Sequence, residues 1–199
     1  VDQERDKFDE STLMDMFDKV FEDDRVFIHA HFGTNEIDDI FAKLRYLIIG
    51  CDCKWVVVDH LHMLVSALGE GDERRAIDNI MTRLRSLVEE TGAGLILVSH
   101  LRRVDGNKGH ENGIEVSLSH LRGSNSIGQL SDCVIALERN QQSDDADEAR
   151  TTRLRILKSR YTGDVGMATA LMYDKETGRL SESFDTEFEV SETQTQIAF

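Results

Sequence analysis

The 199 residues are enough for one sizeable core and short for two. The net charge of −15 excludes a broad basic face: residues 1–25 carry −6 and residues 181–199 carry −5, leaving −4 for the other 155. Between Ser99 and Arg160 ten bases meet nine acids, so a local basic loop is still compatible with these totals.

Cys51, Cys53 and Cys133 are an odd set without paired CxxC spacing, which points to a reducing cytoplasm rather than disulfides or a zinc knuckle. No signal peptide or run of 18 apolar residues marks the chain for export or a membrane. It opens at Val1 on residues that already read as protein interior, so a piece of something longer is expected.

In chain order, Ser11 is placed to cap a helix running to about Phe21, with Leu13, Met14, Phe17, Val20 and Phe21 on one stripe. VFIHA (26–30) reads as a strand. Thr34 or Asn35 opens a helix with Ile37, Ile40, Phe41, Leu44, Leu47 and Ile48 at helical spacing, stopped by Gly50. WVVVDH (55–60) is a β-branched run typical of a central strand covered on both faces. A helix from about Asp72 to Thr91 carries Ile77, Ile80, Met81, Leu84, Leu87 and Val88, with Gly92 as its stop. LILVSH (95–100) is a second buried strand. A polar glycine-containing loop (101–116) leads to a third, Cys133–Leu137, with polar residues crowded at both ends. TTRLRILKSR (151–160) is a further strand, and GMATALMYD and GRLSES, separated by KET, form a closing hairpin. Strand and helix alternate with continuous apolar strands, the pattern of a mainly parallel α/β sheet with its site at the strands' C-terminal ends.

Asp59 places an ionised carboxylate where an apolar strand ends, suited either to an Mg²⁺ bridging phosphates or to capping the next turn. His100 ends the next strand, able to contact a γ-phosphate or to bond backbone. LRRVDGNKGHENG sets Arg102, Arg103, Lys108 and His110 among glycines, a loop that can track a phosphate backbone or simply be solvated. Lys158 and Arg160 in KSRYTGD share one strand face; the alternative is an amphipathic strand with its basic residues, Arg153 and Arg155 included, facing water. His29 and His31, with Asp59, His60 and His62, offer a second class, a zinc-dependent hydrolase. No GxxxxGK[ST] loop is present.

LRGSNSIGQLSDCVIALERN (121–140), VVVDHLHMLV, the loop after His100 and KSRYTGD occur in one order. Together they resemble the RecA-like hexameric replicative DNA helicases of the DnaB class, above all the helicase half of the phage T7-type primase-helicases. The resemblance spans about Val26 to Leu180. It implies a RecA-like P-loop NTPase core in residues 1–180, with the P-loop upstream, a C-terminal β-hairpin, and a disordered acidic tail over 181–199.

By the same resemblance, Asp59 holds Mg²⁺ through water, and His100 and Gln129 sense the γ-phosphate of ATP or dTTP. Arg139 lines the nucleotide site. Arg102, Arg103, Lys108 and Arg122 lie along single-stranded DNA. Lys158 and Arg160 reach the neighbouring subunit's site, Arg160 as the finger of a homo-hexamer. The tail, ending in Phe199, docks on the replicative DNA polymerase. The implied activity is NTP-driven 5′–3′ translocation and unwinding in the cytoplasm, the host's if the protein is phage-encoded, and the fragment alone is inactive. A recombinase-type DNA-binding ATPase is the other RecA-like reading. Two residues depart from the pattern: His120 stands where an aspartate usually precedes LR, and Gly128 where a basic residue is frequent.

Overall fold

A computed structural model describes residues 9–21, 26–29, 37–66, 72–103 and 109–183. The expected helix start at Thr34 or Asn35, Ala30, His31, Lys108 and the tail from 184 to Phe199 lie outside the described residues.

The first helix, α1 (Glu10–Phe21), starts at Asp9 rather than Ser11. The Asp9 carboxylate accepts from Thr12 N and from Ser11 Oγ, both at 2.7 Å. A carboxylate facing the first turn's free N–H groups is the stronger acceptor. The apolar stripe of α1 is exposed, with Phe17 and Phe21 stacked at 4.3 Å. Residues 26–29, expected as a strand, have no regular structure. A strand exists only where a neighbour completes its ladder, and Ile28 is 78% exposed.

Helix α2 (Ile37–Arg45) buries Ile37, Ile40, Phe41 and Leu44 and runs on through a π-turn to Gly50 that adds Ile48. It leads into β1 (Trp55–Val58) and the short α3 (Leu61–Ser66). The longest helix, α4 (Glu73–Thr91), follows the sequence closely. Asp72 caps it, accepting from Arg74 N at 3.0 Å, and Gly92 ends it at φ +70°. Its buried face, Ile77, Ile80, Met81, Leu84 and Leu87, forms the centre of the core with α2, Leu61, Val56 and Ile127. Arg83 ties α4 to α2, lying 4.1 Å over the Phe41 ring while pairing with Asp38 at 2.7 Å.

Strand β2 (Gly94–Leu97) lies parallel to β1, Trp55 opposite Gly94 and Val58 opposite Leu97. Among the described residues parallelism is confined to this pair. The other strands, β3 (Cys133–Arg139), β4 (Thr151–Ser159), β5 (Gly166–Tyr173) and β6 (Leu180–Glu182), make an antiparallel meander that includes the expected closing hairpin. Between β2 and β3 comes α5 (Ser126–Leu130), which packs on α4.

The strands are not covered on both faces as expected. Val56 is buried, but Trp55 and Val57 are 69% and 63% exposed, and Ile135 and Leu137 of β3 are open as well. A continuous apolar run records that both faces can be buried; here the described helices close only one. Arg155 does not face water either. It is half-buried and donates to Glu138, a 5% exposed carboxylate, at 2.9 Å.

Candidate functional site

The parallel pair brings its two C-terminal ends together. Asp59 and His60 follow β1, His62 lies in the first turn of α3, and Ser99 and His100 follow β2. Val58 O accepts from Val98 N at 3.0 Å and Val98 O from Leu61 N at 2.9 Å, so the two exits are stitched side by side. Asp59 presents an exposed carboxylate there, and the His100 ring is also exposed. The rings of His60 and His100 lie 4.0 Å apart.

A second layer docks on these exits. Arg122 N donates to His100 O at 3.1 Å and Arg102 N to His120 O at 2.9 Å, clamping the segment before α5 against the end of β2. The Arg122 guanidinium pairs with Glu73, in the first turn of α4, at 3.2 Å. Ser124, buried, donates to Asp78 of α4 and accepts from Ser126 N at 3.1 Å. The Ser124 hydroxyl, foremost, holds the Asp78 carboxyl below its usual range. Gly123 sits between the two anchors at φ +104°, against the Ile77 side chain.

Gln129, on the last turn of α5, is exposed. Its main-chain carbonyl accepts from Lys158 Nζ and from Arg160 Nη2, each at 3.1 Å. Lys158 also donates to Gly128 O at 2.7 Å and Ser131 O at 2.8 Å, so one ammonium caps the C-terminal end of α5. Arg160 completes its contacts on Asp132 at 3.0 Å, and Asp132 is shared with Arg85 of α4 at 2.8 Å. Lys158 and Arg160 thus share one face, as their spacing requires.

Of the two departures, His120 works as a cap. Its Nδ1 accepts from Ser117 N at 3.3 Å, the acceptor task open to an aspartate. Gly128 is buried against Leu118 and Leu121, with Lys158 supplying a cation at its carbonyl.

Arg102 and Arg103 are exposed, although the Arg102 guanidinium is tied to Ser119 O at 2.8 Å. Arg139 stands apart from the other candidates. It ends β3, about 20 Å along the strand from Asp132 by the rise per residue. Its Nε donates to Ala149 O at 2.7 Å, and it lines a cavity of about 420 Å³ with Gln141, Ala146, Ala149, Arg150 and Lys175.

The histidine set expected for a zinc hydrolase is not assembled as written. His29 is exposed and does not join the cluster, and Asp59 is not part of it; the described residues that converge are His60, His62 and His100. Sequence reasoning passed over Glu73, Asp78 and Asp132, the carboxylates that fix Arg122, Ser124 and Arg160. Only Asp132 left a signal, as the aspartate three residues after Gln129 in the quoted motif.

A parallel strand pair with Asp59 and His100 at its exits, α4 behind it and an antiparallel extension carrying Lys158 and Arg160 define a RecA-like α/β domain. The DnaB-like helicase C terminal domain profile matches residues 3–182, and the chain belongs to that family. It is 42% identical over 167 residues to the DNA helicase/primase of Enterobacteria phage T3, covering 84% of this chain and 29% of that protein. The chain thus spans under a third of the length of this relative. A solved DnaB-like replicative helicase, described with its interactions with primase, superposes with a TM-score of 0.60 at 24% identity, covering 73% of this chain and 35% of that one. A KaiC-like protein from Pyrococcus horikoshii superposes at 0.50 with 15% identity over 74% of this chain and 56% of that one. At these identities the two structures establish the fold alone. Among the described residues no helix is long and apolar enough to cross a membrane.

Proposed function

We propose that the chain is part of the motor domain of a replicative DNA helicase, of the phage primase-helicase kind, that couples NTP hydrolysis to 5′–3′ movement on single-stranded DNA. The observation that carries this reading is the continuous path from the β1 and β2 exits to the end of β4. His100 bonds Arg122, Arg122 leads into α5, and Gln129 at its end is held by Lys158 and Arg160. A change at a phosphate near His100 or Gln129 therefore moves the segment that carries the basic loop.

In this reading the phosphate-cradling loop is supplied from outside the sequence, and the acidic tail expected from 181 begins instead after β6, whose Ser181 and Glu182 pair with β5. Asp59 is a hard, water-exposed oxygen donor, which fits Mg²⁺ held through water. When bound, that ion would offset the negative charge of the phosphates of ATP or dTTP. Arg102, Arg103, Lys108 and Arg122 follow the DNA backbone without reading bases. Arg139 faces nucleotide from its cation-lined cavity. In a homo-hexamer Lys158 and Arg160 also serve the adjoining subunit's nucleotide, which makes turnover depend on assembly. The tail ending in Phe199 docks on the replicative polymerase in the host cytoplasm.

The test is Asp59→Asn in the full-length protein. DNA-stimulated NTP hydrolysis should fall by roughly 100-fold or more, the scale of losing electrostatic stabilisation at a transferring phosphoryl group. Retained hydrolysis would overturn the assignment. The chain as given should not hydrolyse NTP.

A further inference from the structure

Three histidines converge at the β1 and β2 exits. His62 is 8% exposed, and neither of its ring nitrogens has a hydrogen-bond partner among the described residues; His60 Nδ1 is buried and without one among them as well. One ring nitrogen from each of His60, His62 and His100 lies within 4.8 Å of the others. The His62 and His100 rings stack at 5.4 Å with 22° between their planes, and His60 and His62 are 5.9 Å apart. An unpartnered buried polar atom costs free energy, so two such nitrogens on one ring call for a ligand.

We infer that His60, His62 and His100 form a tripodal site for a divalent transition-metal ion of the zinc class, with a fourth position open to solvent. Three neutral imidazoles are the donor set that favours Zn²⁺, Co²⁺, Ni²⁺ or Cu²⁺ over Mg²⁺ or Ca²⁺. Metal–nitrogen bonds of about 2.0–2.1 Å place the nitrogens roughly 3.4 Å apart in a tetrahedral set, so closure from the present spacing takes only side-chain rotation. The backbone already fixes the three positions through the stitched exits. Glu73 completes the surroundings, 3.9 Å from His62 Nε2, and offsets the nearby charge of Arg122, to which it is paired.

The site shares His100 with the proposed phosphate sensor. Resting on that reading, a metal bound to His100 holds its ring away from the phosphate to which its N–H would donate, so metal binding and NTP turnover oppose one another.

Titration of the chain with Co²⁺ should give visible d–d absorption saturating at one equivalent, displaced by Zn²⁺ and not by Mg²⁺. His62→Gln and, because His62 is buried, separately His60→Asn should each weaken Zn²⁺ binding by at least about 100-fold in equilibrium dialysis, since even outer partners are worth 10–100-fold. His110→Asn, outside the cluster, should bind as the parent does. Absence of saturable Co²⁺ absorption, or unchanged binding by folded His62→Gln and His60→Asn variants, overturns the site. In the full-length protein Zn²⁺ should inhibit turnover, and His62→Gln, compared with its own metal-free rate, should need at least about 100-fold more Zn²⁺ for the same inhibition. Inhibition that persists in His62→Gln overturns the proposed antagonism, whereas turnover indifferent to bound Zn²⁺ overturns the sensor role of His100 and leaves the site standing.

Discussion

Arg160 reaches from the end of β4 to the main-chain carbonyl of Gln129, donating from Nη2 at 3.1 Å. Lys158 meets the same oxygen at the same distance. The basic pair is therefore fastened within its own protomer to the helix that carries the exposed Gln129 side chain. Whatever the pair touches across a subunit boundary, a shift of it is a shift of α5.

Lys158→Ala should destabilise the chain by roughly 1–3 kcal/mol, the range for charged hydrogen bonds lost from partly buried carbonyls. The carbonyls of Gly128 and Ser131 lose this donor together, while Gln129 O keeps Arg160. Urea denaturation measures the loss. An unchanged midpoint would mean the lysine has no holding role in its own protomer and acts only on a neighbour.

Gly123 adopts φ +104°, and a Cβ there would come 2.1 Å from Ile77 Cδ1, which belongs to a fully buried side chain. Gly123→Ala meets both a backbone penalty and an overpacked core, together roughly 2–4 kcal/mol. Because Gly123 joins Arg122 to Ser124, the lost stability should come with weaker DNA binding in the full-length protein. A variant as stable as the parent in thermal melts would contradict this geometry.

Glu138 is nearly inaccessible and accepts from Val116 N at 2.8 Å and Arg155 Nε at 2.9 Å. Glu138→Ala leaves the buried Val116 amide without its acceptor and the half-buried Arg155 guanidinium with only the exposed Glu115 at 3.1 Å, at roughly 2–4 kcal/mol. Adding Arg155→Met should restore part of that loss, since the poorly paired charge is then gone. If the double variant is less stable than Glu138→Ala alone, the pair is not the source of the cost.

These contacts show what the sequence carries and what it does not. α4 was legible end to end because its cap, its 3.6-residue stripe and its terminal glycine are local signals. The β5–β6 hairpin was legible for the same reason. The two-sided cover expected for β1 and β3 was not delivered, since an apolar run states how much a strand can bury without saying what lies on each face. The phosphate-facing candidates Asp59, His100 and Gln129 could be named from their places in strand and motif. Their supports could not: Glu73 meets Arg122 across 49 residues and Asp78 meets Ser124 across 46, beyond any local period. The convergence of His100 with His60 and His62 is likewise a product of strand pairing.

His120 gives the site a pH dependence with a definite sign. Its Nδ1 must be unprotonated to accept from Ser117 N. Partial burial foremost, then the charges of His110, whose ring is 5.2 Å away, and Arg102, hold its pKa below the usual 6.5. In the unfolded chain the ring titrates at that ordinary value, so between the two pKa values the unfolded state binds a proton that the folded state refuses. The contribution to stability is complete above pH 6.5 and is lost as pH falls through the folded pKa. His120→Asn keeps an acceptor without the titration. The melting temperature of the parent minus that of this variant should be level near pH 7.5 and fall by about pH 5. Removing a neighbouring charge with His110→Asn should shrink that fall, because the folded pKa of His120 then moves back toward its ordinary value. A difference curve that stays level across the whole range would show that His120 does not titrate as the cap of this turn.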